Sequence, residues 1–123
     1  MERIQSPRTD DSAIEAEIKA KGLTAPRVTP ADIEANIVSE HYFTGEDGVF
    51  GARGQVTIPV ELTLLTFCVL VLANGFTVTG ESACASPENF DAEVGRKVAR
   101  ANAVNKIWPL MGYALKQKLS EAA

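Results

Sequence analysis

Residues 64–87 read LLTFCVLVLANGFTVTGESACASP. A continuous apolar run meets Asn74-Gly75, and a shorter alternating segment follows it. Asn-Gly between two β-prone runs marks a hairpin, because both central residues of a type I′ turn need positive φ. A two-residue turn at Asn74-Gly75 places Ala73 opposite Phe76, Val71 opposite Val78, Val69 opposite Gly80 and Cys68 opposite Glu81. Side chains alternate across a strand, so Phe67, Val69, Val71, Phe76 and Val78 share one apolar face, the expected core face. The other face sets Cys68, Leu70 and Leu72 against Thr77, Thr79 and Glu81. A first strand apolar on both sides reads as buried on both sides, either as a central strand or at a seam between subunits.

Working outward, the 123 residues suit one domain with a single core. A hydrophobic content of 46% and a charged content of 23% are ordinary for a globular chain. The net charge of −4 argues against a dedicated duplex-DNA binder, which shows a basic excess. The apolar run Leu62–Ala73 is too short for a membrane helix of about 20 residues. MERIQSPRTDD lacks a hydrophobic signal core, which points to the cytoplasm. Two cysteines and one histidine give no zinc spacing. In the register above, Cys68 and Cys84 are also too far apart for a disulfide, so both read as small buried thiols. No metal or cofactor is expected.

Upstream, residues 1–12 read as a disordered tail, leaving 13–123 as the domain. Ala13–Lys21 suits a short helix that stops at Gly22. Thr29-Pro30-Ala31-Asp32 is a helix start, with a capping threonine, proline at the first helical position and an acid at the electropositive end. That helix is expected to run to about Tyr42, with Ile33, Ile37 and His41 on one stripe. Phe43–Gly54 carries glycines at 45, 48, 51 and 54 without a phosphate-loop pattern. It reads as a flexible surface loop, with a lid contacting a ligand through Phe50 and Arg53 as the alternative. Gln55–Glu61 alternates and suits an edge strand, because Pro59 excludes a central position.

Downstream, Ser86-Pro87-Glu88 announces a helix that begins by Asp91. Phe90, Val94, Val98 and Ala101 form its apolar stripe, continued by Val104, Ile107 and Trp108. Gly95, Ala99 and Ala103 form a second stripe of small residues that lets another backbone approach, either in tight packing on the hairpin or on a symmetry-related helix. Pro109 is expected to kink or break the helix, and Met111, Leu115 and Leu119 continue it. The architecture is therefore α+β, with a small antiparallel sheet centred on the hairpin at about 64–82. An N-terminal helix and a long kinked C-terminal helix pack it.

Arg96 and Arg100 lie four apart on the long helix and, with Lys106, can meet an anion. Thr77, Thr79 and Ser82 supply hydroxyls beside the helix start, where amide groups welcome negative charge. These six residues are the candidate ligand contacts, and a solvated charged face is the plainer account of the basic ones. Scattered acids and a single histidine make no catalytic set.

The stretch NGFTVTGESACASPENFDAEVGRKVARANAVNKIWPLMGYALKQKL resembles the conserved segment of a small tailed-phage and prophage protein family. That family is named after gp forty-nine of a coliphage and gp sixty-six of a Shigella phage. The resemblance covers about Leu64–Leu119 and rests on Asn74-Gly75-Phe76, Gly80, Phe90-Asp91, Gly95-Arg96, Ala99, Ala103, Lys106-Ile107-Trp108 and Tyr113. Thr29–Phe43 is similar to the family's upstream helix ending in Tyr-Phe. The resemblance implies a phage or prophage origin and a life in the host cytoplasm, and carries no catalytic residues with it. The expected function is that of a non-enzymatic accessory protein, a homo-oligomer that blocks a host or immune factor or sequesters a small, nucleotide-like anionic ligand. The alternatives are a nucleic-acid-binding replication or transcription accessory protein and a minor virion oligomer.

Overall fold

The computed structural model describes residues 11–123. The elements in order are α1 (Asp11–Ala20), α2 (Pro30–Asn36), β1 (Ile37–Thr44), α3 (Gly45–Arg53), β2 (Leu65–Leu72), β3 (Thr77–Ala83) and α4 (Ala92–Ala122). Short 3₁₀ turns at Val60–Leu64 and Pro87–Asn89 introduce β2 and α4. The strands form one antiparallel sheet in the order β1-β2-β3, so the architecture is α+β and β2 is the central strand. Of the expected N-terminal tail, residues 1–10 lie outside the described residues, and Asp11 and Ser12 already belong to α1.

The hairpin forms where Asn74-Gly75 places it, but its loop has three residues, not two. The Leu72 amide donates to Phe76 O (2.8 Å) and the Gly75 amide to Leu72 O (2.8 Å). Gly75 takes φ +89°, and Asn74 Oδ1 accepts from the Phe76 amide at 2.9 Å. A three-residue loop closed by a left-handed glycine is the next commonest solution after the two-residue turn. Cys68 therefore pairs with Gly80 and Val71 with Thr77. That shift by one residue turns every β3 side chain to the other face. The core face is Thr66, Cys68, Leu70 and Leu72 with Val78 and Gly80, all buried. Phe67, Val69 and Val71, expected in the core, lie half-buried on the outer face beside exposed Thr77, Thr79 and Glu81.

The second neighbour of β2 comes from a segment expected to be helical. Thr29 caps α2 by a reciprocal capping box with Asp32, with Pro30 behind it, yet the helix ends at Asn36. Ile37–Thr44 is instead β1, pairing Tyr42 with Cys68 and Phe43 with Phe67. Its alternation suits a strand, and pairing with the central strand outweighs a weak helical preference. His41 thereby stands exposed on the outer face, its Nε2 3.1 Å from Ser39 Oγ. The glycine-rich segment is also not a loop. Thr44 and Asp47 form a second capping box that starts α3, which ends at Gly54 with φ +72°. Gln55–Glu61 makes no strand.

Helix α4 starts with Asp91 Oδ1 accepting from the Val94 amide at 3.0 Å and runs through Pro109 without a break. It packs on the core face through Gly95, Ala99, Ala103 and Ile107. The first half of the larger stripe is turned away, with Val94 and Val98 both exposed, while its continuation at Ile107 lies in the core. Tight packing of the small stripe on the hairpin is one of the two arrangements expected for it from the sequence. The small stripe wins because the strand beneath offers Gly80, where an added Cβ would lie 2.2 Å from Ala99 O and 2.3 Å from Ala103 N. Backbone meets backbone there, and only small residues on both sides allow it. Ile33 from α2 completes the core. Cys68 and Cys84 are both free thiols; Cys68 is buried as expected, whereas Cys84 is only half-buried.

Candidate functional site

Of the expected ligand contacts, Arg100 is already occupied. Its guanidinium donates to both carboxylate oxygens of Glu34 (2.7 and 3.1 Å) and to Glu40 Oε2 (3.1 Å). The Tyr42 hydroxyl donates to the other Glu40 oxygen at 2.9 Å. α2 brings Glu34, β1 brings Glu40 and Tyr42, and α4 brings Arg100, so the cluster fastens three elements at the β1 side of the sheet. The hydrogen bond from Tyr42, reinforced by Arg100, holds the Glu40 carboxyl below its usual range. Burial, then the bond to Glu40, keeps the Tyr42 phenol above its ordinary value. A guanidinium with three carboxylate contacts has little left for an incoming anion.

The remaining contacts are dispersed. Thr77 and Thr79 are exposed on the outer face of β3. Ser82 shares the opposite, helix-side face with Val78 and Gly80. Lys106 is exposed on α4 and enters no salt bridge among the described residues. Arg96 lines a small cavity of about 100 Å³ near the start of α4. One nucleotide-sized site holding all six residues does not form.

A larger concavity lies at the other end of α4. There the stripe that packs on the sheet as Ala103 and Ile107 continues as Leu110, Met111 and Ala114, past the hairpin loop. Adjoining cavities of about 520 and 250 Å³ share Asn36, Met111 and Ala114 as walls. Leu72 and Phe76 from the hairpin, and Val28 and Ala35 from the α2 side, complete an apolar groove. Arg27, Asp32 and Lys118 edge it with charge. Phe76 is 56% exposed, Leu110 40% and Tyr113, on the same stretch of helix, 76%. Among the described residues eight apolar side chains are buried, whereas thirteen large ones are exposed. The sequence signal for this groove is the apolar continuation at Met111 and Leu115, both of which line it, while Leu110 and Ala114 join them only in the folded chain.

The described residues contain no group of three potential metal ligands and no helix long and apolar enough to cross a membrane. Fold and groove together define a small sheet-and-helix protein with an apolar recess between its hairpin loop and the second half of its long helix. The chain belongs to the Phage protein (N4 Gp49/phage Sf6 gene 66) family, whose profile matches residues 28–119. No curated protein and no solved structure matches it.

Proposed function

We propose that this phage-family protein is a non-enzymatic accessory protein that binds a host protein in the cytoplasm of the infected cell through the α4 groove. Of the two modes of action expected from the sequence, blocking a protein and sequestering a nucleotide-like ligand, the geometry favours the first. The observation that carries this reading is the apolar recess bounded by Phe76, Leu110 and Ala114. Arg100, the best-placed of the expected anion contacts, is neutralised by Glu34 and Glu40. A groove apolar inside and charged at its edge suits an amphipathic partner segment that inserts side chains at i, i+3 and i+4.

The test is site-directed photocrosslinking in the bacterial host, with the crosslinking residue at position 110 or, as a control on the exposed Val94–Val98 stripe, at position 98. A single host protein crosslinked from 110, absent from 98 and lost in Ala114→Arg, supports the reading. A crosslink only to a second copy of the chain, matched by a dimer mass in native mass spectrometry, replaces it with self-association through the groove. Equal crosslinking from both positions refutes a groove-specific function.

A further inference from the structure

The small cavity at the opposite end of α4 holds an unused polar group. Thr66 on β2 is 4% exposed, the one buried polar residue of the described core. Its hydroxyl makes no hydrogen bond to any described residue, although each buried polar atom sealed from solvent has a partner. The hydroxyl therefore opens on the cavity that Thr66 lines. The Thr66 hydroxyl is thus reachable through the cavity and free to bond a group that enters it.

The surroundings specify that group. Arg96, in the second turn of α4, lines the same cavity and enters no ion pair among the described residues. Gly95 keeps the space beside Thr66 open, since an added Cβ would stand 3.0 Å from Thr66 Oγ1. Ala92, the first residue of α4, forms another wall at the electropositive end of a 31-residue helix. The volume of about 100 Å³ is that of roughly three waters. It admits one compact group and leaves the rest of a larger molecule outside. Asp47 is the one acid in the lining, and its carboxylate is turned to capping, with Oδ2 accepting from the Thr44 amide at 2.9 Å.

We propose that this corner is an oxyanion site in which Arg96 and the Thr66 hydroxyl hold a single phosphate or carboxylate group. The site is independent of the groove, which lies at the far end of the same helix. Asp47 opposes the ligand's charge and sets the affinity low, so its removal strengthens binding.

The experiment is a nuclear magnetic resonance titration of the full chain with inorganic phosphate and, separately, acetate. Saturable shifts are expected at the Thr66, Gly95 and Arg96 amides and at Arg96 Nε. Arg96→Gln and Thr66→Val are each expected to weaken binding about tenfold or more. Thr66→Val should leave the melting temperature unchanged or raised, because it removes a hydroxyl with no partner. Asp47→Asn, which keeps the capping acceptor, should tighten binding. Stronger phosphate than acetate binding assigns a phosphate ester, and the reverse assigns a carboxylate. Shifts that persist in Arg96→Gln, or no saturable shift at Thr66 with either anion, overturn the proposal. Weaker binding in Asp47→Asn also overturns it, since the ligand would then be a hydrogen-bond donor. If Arg96→Gln fails to fold, Arg96→Lys replaces it. Lysine keeps the charge without the fork, and binding as tight as wild type would refute guanidinium recognition.

Discussion

Replacing Gly80 with alanine tests the packing on which the whole fold depends. The new methyl would lie 2.2 Å from Ala99 O, 2.3 Å from Ala103 N and 2.9 Å from Asn102 C. Ordinary contact begins at about 3.4 Å, so strand and helix must separate by more than 1 Å. All three atoms belong to helix backbone, and no change of rotamer can relieve the overlap. A gap of 0.5–1 Å already forfeits roughly a quarter to a half of the dispersion attraction between facing atoms. Here the gap would open along the seam where Cys68, Leu70 and Val78 meet Ala99, Ala103 and Ile107. The Asn102 Nδ2 bond to Glu81 O, 2.8 Å long, would stretch with it. Overpacking of a tight core costs about 1–3 kcal/mol, more where backbone must move, so a loss of about 3 kcal/mol or more is expected. Against a total stability on the order of 5–15 kcal/mol, that is a large share. Urea denaturation followed by circular dichroism reads it as a lowered midpoint at unchanged slope. Gly112→Ala provides the contrast. Nothing lies within 4 Å of its would-be Cβ, so helix propensity alone should raise stability by about 0.5–1 kcal/mol. If Gly80→Ala costs less than about 1 kcal/mol, the helix is not seated on this glycine and the account of the fold fails.

Three further outcomes follow from individual contacts. Arg100→Leu should lower stability by about 1–2 kcal/mol in urea melts, because it strands Glu34 and Glu40; the partial exposure of all three groups keeps the cost from being larger. Since the Glu40 carboxyl is held below its ordinary 4.5, it binds fewer protons folded than unfolded. Its contribution is present above that value and is lost as the pH falls through the folded one. The urea midpoint should accordingly drop in acid, and Tyr42→Phe, which removes the leading hydrogen bond, should shrink that drop. Pro109 lies exposed inside α4, where proline costs a helix about 3 kcal/mol relative to alanine. Pro109→Ala should raise the melting temperature, and a lowered one would show that proline shapes a needed bend.

The candidate site was legible only in fragments. Arg96 was visible as a free basic residue near a helix start, but Thr66 was not, because one buried threonine in an apolar strand carries no local mark. Arg100 looked equally free, since its partners Glu34 and Glu40 stand 66 and 60 residues away in sequence. The groove was hidden for a related reason: its walls come from Ala35, Phe76 and Leu110, which meet only after the hairpin and α4 dock.

By itself the sequence determined those features that depend on near neighbours. Asn74-Gly75 marks the hairpin, Gly22 ends α1 at φ +68°, and Thr29-Pro30 starts α2, whereas Ser86-Pro87 opens only a 3₁₀ turn and α4 takes its cap from Asp91. The tertiary structure alone decided whether the hairpin loop holds two residues or three, and with it which face of β3 is buried. It made Ile37–Thr44 a strand, although those residues fit a helix stripe, because the central strand had an unpaired edge to satisfy. It also seated the small stripe of Gly95, Ala99 and Ala103 on Gly80 of the hairpin, where the sequence had left a symmetry-related helix open as well. The hydrophobic stripe would bury more area per residue, but the glycine on β3 permits a backbone approach that valine would block, and the closer packing prevails.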